Sequence, residues 1–457
     1  MNASKFHFKG KILYWIIILL GFQQFPIIRL GGSLKTYEIL GFILLFSNFL
    51  KFRIKKNANY VEVFSFIFFV VVPLSSYIYS SVFYDYPYNY YVIFPKAQTE
   101  FKSNYYIFPL LQILYMMMNW QVFVGLANSK AIYVNIEKVM KVATIFGTII
   151  SLYSLCALYV IDFIPLLPSW IQFKFTKEGT RSTGLSQEPG TYVLYQLWIC
   201  IFLWYSKSSF TKRWWYIVFI VNVISCALTQ STALWGVVIA ILASFFIFKT
   251  NKVARRRATF GLIAAVVITF TTVQLLGYGN TFYNAFFKKG ASFFATSENH
   301  RALNSGALRK YTADIGYKIF ENYRLLGVGY GRSMYYMYIY KKQVGISYAS
   351  EPINAGSVPL SMTSVIASEM GLAGLISFGL FYCSVFWTFW RNRNKSPLHK
   401  MFLLGCITEV FTFFSLYTPH AVFLWAYLGL GLGYVKYFDK TKSVSANKQF
   451  LIEPAYA

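Results

Sequence analysis

Val63-Phe-Ser-Phe-Ile-Phe-Phe-Val-Val-Val-Pro73-Leu-Ser-Ser-Tyr77-Ile-Tyr-Ser80 runs for eighteen residues without a charged side chain. A helix needs about 20 mostly apolar residues to cross a bilayer core. Backbone groups in hydrocarbon must be satisfied within the segment, so this run reads as a spanning helix over 60–80. Working outward, similar runs predict spans near 11–28, 36–50, 105–127, 139–166, 191–205, 214–229, 231–248, 257–276, 357–390, 399–418 and 420–438. The expected fold is therefore an all-α polytopic membrane protein with about twelve transmembrane helices. The composition agrees. Hydrophobic residues make up 56% of the chain and charged residues 13%, about half the charged share of a soluble domain. The same figures exclude disorder. The net charge of +27 would by itself suggest nucleic acid, but the charges are thinly spread between apolar runs, so no nucleic-acid partner is expected. Cys156, Cys200, Cys226, Cys383 and Cys406 lie within apolar runs and lack metal-ligand or paired spacing.

The positive-inside rule orients the chain. With the N-terminus cytoplasmic, every inside segment carries at least three Lys or Arg, while the short outside loops are poor in them. Both termini are expected inside. The chain then divides into nine spans over 1–276, a large extracytoplasmic loop over 277–356, three spans over 357–438 and a cytoplasmic tail over 439–457. A polar outside segment also occupies 167–190. No cleaved signal peptide is expected, because no small-residue cleavage pattern follows the first apolar run.

The large loop holds ten Lys and Arg against four Asp and Glu. Leu308, Tyr311, Ile315 and Ile319 recur in it at helical spacing, predicting an amphipathic helix of about four turns. Ser305 would start this helix, and Leu326-Gly327-Val328-Gly329-Tyr330-Gly331 would stop it. Outside arginines have no topological explanation, and their planar forks suit phosphate and carboxylate. Arg181, Arg301, Arg309, Arg324 and Arg332 are thus candidates for a lipid-linked phosphate or pyrophosphate, alongside the alternative of solvated surface charge. Glu188, before Pro189 at the mouth of a span, and His300 are the acid/base candidates. Glu369 and Glu409 lie inside apolar runs, where ionisable groups are costly. Each reads equally as a functional carboxylate or as a cross-helix packing contact. Tyr330, Tyr335, Tyr336 and Tyr338 read as interface anchors or as sugar-stacking rings. No phosphate-binding glycine loop or paired-His metal signature is present in the sequence.

Three blocks, in order, resemble the O-antigen polymerase (Wzy-type) and O-antigen ligase superfamily of membrane glycosyltransferases. Arg181 is followed by Gly184 three residues on and Pro189 eight on. Ser305-Gly306 is followed by Arg309, with Gly327 eighteen positions past that arginine. Ala367-Ser-Glu369-Met-Gly371-Leu-Ala-Gly374 opens a late span. The resemblance implies a GT-C-like fold with one large extracytoplasmic loop, and a bacterial inner-membrane location. Its active site would face the periplasm or cell exterior, and it would need no metal or cofactor. It further implies polymerisation of undecaprenyl-pyrophosphate-linked oligosaccharide units for O-antigen or capsule. Arg181 and Arg309 would face the pyrophosphate, and membrane lipid, a flippase and a chain-length regulator would be the partners. Leu360 stands where the ligases carry a His, which favours polymerase over ligase. A flippase or other transporter is the remaining alternative.

Overall fold

The computed structural model describes residues 8–23, 27–29, 33–49, 59–85, 104–160, 182–186, 189–206, 209–229, 231, 305–341, 343–344, 358–415 and 421–450. The expected span 257–276, and 231–248 apart from Ser231, lie outside them. The described chain is helical, with one exception to the all-α expectation. Ile27–Arg29 (β1) pairs antiparallel with Ser33–Lys35 (β2). The intervening sequence carries Gly31-Gly32, a pair that tight hairpins favour.

The helices are Phe8–Leu19 (α1), Thr36–Phe49 (α2), Tyr60–Phe83 (α3), Ile107–Ala127 (α4), Lys130–Val134 (α5), Ile136–Tyr159 (α6), Pro189–Tyr205 (α7) and Lys212–Ala227 (α8). Ser305–Asn322 (α9), Ser333–Lys341 (α10), Met362–Asn392 (α11), Pro397–Ser415 (α12) and Val422–Phe450 (α13) follow. Four of them, α3, α4, α6 and α11, are long and apolar enough to cross a membrane, and they mark the chain as a membrane protein. Pro73 leaves its signature on α3. Proline has no N–H and crowds the carbonyl four residues before it. The helix widens just ahead of it into a π turn at Ile67–Val71, and the Val72 N–H reaches back to the Ile67 carbonyl.

Helix α7 is buried along most of its length and packs against α6, α8 and α12. Helix α4 packs along α13, and α11 lies against α3, α12 and α13. Apolar stripes remain on the outside. Val71, Leu74, Ile78 and Val82 of α3 are exposed, as are Ile145, Ile149 and Leu152 of α6. Spacings of three and four place each set on one face, as a lipid-facing helix requires.

Helix α11 is not one continuous span. Its backbone breaks at Gly371 (φ 61°, ψ −152°), a conformation essentially reserved to glycine. The two parts differ in surroundings. From Met362 to Gly371 nearly every residue is buried. Beyond the break, Leu372, Ile376, Leu380 and Trp387 form an exposed apolar stripe. Residues 372–392 rise about 31 Å, which alone suffices to cross a bilayer core. Glu369, expected halfway along a span, therefore sits where the spanning part begins.

The large loop fills the break. The Val328 and Gly329 N–H groups donate to the Ser368 and Glu369 carbonyls at 2.9 and 3.1 Å, and the Leu372 and Ala373 N–H groups donate to the Arg324 and Leu325 carbonyls at 2.7 and 3.1 Å. Four backbone bonds thus join two segments that a straight helix would keep apart. The approach leaves no room for side chains. A Cβ on Gly371 would lie 2.6 Å from the Arg324 carbonyl oxygen, and one on Gly327 (φ 68°) would overlap the Glu369–Met370 peptide.

The loop helix α9 runs eighteen residues, about a turn longer than the sequence pattern indicated. Tyr311, Ile315 and Ile319 are buried as that pattern requires, whereas Leu308 is exposed. Together with α10, which the sequence reading did not anticipate, α9 builds a second small core with Tyr105, Val328, Tyr335 and Tyr336.

Gly371→Ala and Gly327→Ala should each cost at least about 2 kcal/mol, from disallowed φ and overpacking. Gly379→Ala, where an added methyl meets nothing within 4 Å, should be neutral. Melting of the purified variants in one detergent checks the ranking. Equal midpoints for Gly371→Ala and Gly379→Ala would remove the docked-break description.

Candidate functional site

Of the sequence-predicted site residues, Arg181, Glu188, His300 and Arg301 lie outside the described residues. Arg309, Arg324, Arg332 and Glu369 are described, and they do not share one environment.

Arg309 lies in the second turn of α9, partly buried. Thr312, one turn on and 3% exposed, donates its hydroxyl to the Arg309 carbonyl at 3.0 Å. The same hydroxyl accepts the Leu360 N–H at 3.2 Å. Next to it, the Ser364 hydroxyl donates to the Ala313 carbonyl at 2.7 Å. The turn bearing Arg309 is therefore bonded to the entry of α11, directly at Leu360. Arg324 is exposed at the far end of α9, its Nε donating to the Glu321 carbonyl at 3.1 Å.

Arg332 is fully buried. Its Nη1 and Nη2 donate to the hydroxyls of Ser80 and Ser81 at 2.6 and 2.8 Å. Its guanidinium carbon lies 4.5 Å from the Tyr77 ring centre and 4.1 Å from that of Tyr105. Two ring faces and two hydroxyls take the place of water around the charge. Glu369, 2% exposed, accepts from the Gly331 N–H at 3.0 Å and from the Ser333 hydroxyl at 2.6 Å. Its peptide carbonyl also accepts the Ser76 hydroxyl at 2.5 Å. These bonds join Glu369 to the glycine turn, to the start of α10 and to α3. Arg332 and Glu369 thus hold one node, where the glycine turn meets α3 and α11. Arg309 lies roughly 20 Å of helical rise from the C-terminal end of α9 at this node.

Glu409, the second carboxylate within an apolar run, is bonded across helices. Trp198 Nε1 donates to it at 3.0 Å, beside a cavity of about 10 Å³ lined by Leu197, Thr408 and Phe423, room for roughly one water. Tyr330, Tyr335 and Tyr336 are buried, and only Tyr338 of that predicted set is exposed.

A polar network missed in the sequence surrounds the segment that follows Arg181. The Ser154 hydroxyl lies 2.6 Å from that of Ser182 and accepts the Gly184 N–H at 3.0 Å. The Ser182 N–H donates to the Leu228 carbonyl at 2.9 Å. Tyr192, against whose ring Gly184 packs, places its hydroxyl 2.7 Å from Ser225 and 3.0 Å from Ser151. Ser151 donates to Asn222, and Asn222 donates to Thr148. Three helices, α6, α7 and α8, therefore grip this turn. The available signal was the i, i+3 spacing of Thr148, Ser151 and Ser154 and of Asn222 and Ser225 within apolar runs.

Asp314 on α9 is more than half buried, and that burial raises its carboxyl above the usual range against the opposing pull of Lys310. A carboxyl whose folded pKa is raised weakens the fold as pH climbs from its ordinary value of 3.8 through the folded one.

In comparisons with protein-family models and with curated proteins, no match to the chain was found.

Arg332→Lys keeps the charge but loses the two-pronged bond to Ser80 and Ser81 and the guanidinium contact with the Tyr77 and Tyr105 rings. It should lower the unfolding midpoint by an amount equivalent to about 2–4 kcal/mol. An unchanged midpoint would show that the clamp carries no stability. Asp314→Asn should raise the midpoint at pH 7 and leave it unchanged near pH 3, where the carboxyl is protonated in both states. A benefit that persists at pH 3 would contradict the burial argument.

Proposed function

We propose that the chain is a polymerase of lipid-linked oligosaccharide repeat units, built with about twelve spans and a GT-C-like plan in a bacterial inner membrane. Its termini are cytoplasmic and its active site faces outward. The observation that carries the reading joins two of the sequence blocks. The block ending at Gly327 and the block around Glu369–Gly371 are two halves of one joint, with the glycine turn bonded backbone to backbone into the helix break. Gly327 and Gly371, one from each block, are both required by this joint, which supports reading the two blocks together. The first block also has a built setting, the Ser182–Gly184 turn held by three helices.

In the proposed transfer, the bond between an anomeric carbon and the undecaprenyl pyrophosphate oxygen breaks. A bond forms from that carbon to a hydroxyl oxygen of the sugar on a second lipid-linked unit. The hydroxyl proton passes to a base, and undecaprenyl pyrophosphate leaves with increased negative charge. Fixed arginines stabilise that charge, and confinement of both substrates to one membrane face supplies proximity. Arg181 and Arg309 are assigned to the pyrophosphate, Arg301 and Arg324 to added positive charge, and Glu188 or His300 to proton transfer. Arg332, whose terminal nitrogens are engaged by Ser80 and Ser81, is assigned to holding the loop. Leu360 at the ligase His position favours polymerase over ligase. A transporter leaves the ends of its broken helices open to substrate, whereas here the loop's own backbone occupies the break.

Arg309→Ala and Arg181→Ala should each cut polymerisation by about 10²–10³-fold. The glycan ladder would collapse to single repeat units at equal protein abundance. Normal chain lengths in both variants would end the assignment. A deletion strain with no glycan attached to its final acceptor would indicate a ligase, and one with repeat units retained inside would indicate a flippase.

A further inference from the structure

We infer that Thr312 is a positioning residue for Arg309 in this transfer, an inference that rests on the pyrophosphate role proposed for Arg309. The Thr312 hydroxyl is placed to serve two segments at once. It donates to the Arg309 carbonyl at 3.0 Å and accepts the Leu360 N–H at 3.2 Å, and it is shielded from water by burial to 3% exposure. Without it, the bond between the turn of α9 that carries Arg309 and the chain at Leu360 is lost. The bond made by Ser364 to the Ala313 carbonyl lies next to it on the same face. A Cβ on Gly316, one turn further on, would overlap the Ser364 hydroxyl, so the two helices are in close contact along this face. Leu360 is itself anchored through its neighbour, since Ser361 donates to the Phe413 carbonyl of α12 at 3.2 Å.

Arg309, Thr312, Ala313 and Gly316 fall on one helical face by their three- and four-residue spacing. That face is the one laid on the entry of α11. The guanidinium stands at the end of a long side chain with many rotamers, so its placement depends on how firmly its root is held. A shift near 1 Å in a charge that meets the leaving group is enough to cost about 100-fold in rate. Thr312 touches no reacting atom in this account. It acts by fixing the backbone from which Arg309 projects.

The test uses the full-length protein in lipid nanodiscs with a synthetic undecaprenyl-pyrophosphate-linked repeat unit. Thr312→Val replaces the hydroxyl by a methyl of similar size. It should lower kcat at least about tenfold with KM for the lipid-linked unit changed less than about twofold, and Thr312→Ser should keep at least half of the activity. A cycle with Arg309→Lys, which retains a charge, isolates the coupling: Thr312→Val should have little further effect in that background. Should Thr312→Val fail to accumulate, Thr312→Ala replaces it in the same cycle. Wild-type kcat in Thr312→Val, or a loss that multiplies with that of Arg309→Lys, overturns the positioning role. Full activity in Arg309→Ala instead overturns the pyrophosphate reading of Arg309, which separates the two failures.

Discussion

A helix broken inside a membrane protein must have its exposed backbone groups answered, because an unpartnered buried N–H or carbonyl is costly. In this chain the break at Gly371 is answered by the stretch 324–329 of the large loop, through four backbone bonds. Most of what distinguishes the structure follows from that constraint. The loop cannot be a detachable appendage, since removing it would leave the ends of both half-helices unpaired. The half-helix before the break cannot be a simple membrane span, since it is surrounded by α9 and by the glycine turn. Only the part beyond the break keeps an apolar face on the outside. The boundary between the spanning part and the loop module therefore runs through α11 itself.

The remaining contacts around the break brace it from other directions. The Ser76 hydroxyl on α3 lies 2.6 Å from the Leu326 carbonyl and 2.5 Å from that of Glu369, and its one proton serves either of them. Glu369 collects the Gly331 N–H and the Ser333 hydroxyl and so secures the start of α10. Arg332 then reaches back to Ser80 and Ser81 between two tyrosine rings. Buried hydrogen bonds of this kind rigidify a structure, while the Nε of Arg332 finds no hydrogen-bond partner among the described residues. Here the bonds tie the glycine turn, the start of α10 and the helix break to α3. At the other end of α9, Thr312 and Ser364 serve the same purpose on a smaller scale.

The apolar runs, the face of α9 and the glycines that stop it were legible in the sequence because each leaves a local pattern: length without charge, spacing of three and four, and a residue type that φ demands. The break itself was not. Ala367-Ser-Glu369-Met-Gly371-Leu-Ala-Gly374 has good helix formers on both sides, and a glycine in a helix is more often tolerated than kinked. Only the arrival of a segment about forty residues earlier in the chain converts that tolerance into a bend. The same distance hid the surroundings of Arg332, whose hydroxyl partners lie some 250 residues away. In sequence, a buried arginine and a solvated one look alike. The hydroxyl network around Ser182 was hidden for another reason: serine and threonine inside a span usually bond to their own helix carbonyls, so their spacing alone does not announce a cross-helix network.

In the sequence, the arginines of the polar segments are legible only as a set. As a set they indicated an anion, since topology alone gives no reason for them. Placed in the structure, they separate by what surrounds each guanidinium. Arg332 has its guanidinium close to two tyrosine rings and its terminal nitrogens engaged by hydroxyls. Such an arginine holds parts of the protein together, and drawing it toward a phosphate would require breaking the joint that keeps the loop in place. Arg324 sits exposed beside that joint, and its carbonyl is one of the four groups that close the break. Its backbone is therefore structural even if its side chain meets a ligand. Arg309 differs from both, because its backbone is fixed by a neighbouring hydroxyl while its side chain takes no part in closing the break. Its root is tied to the entry of α11, since the hydroxyl that bonds the Arg309 carbonyl also takes the Leu360 N–H.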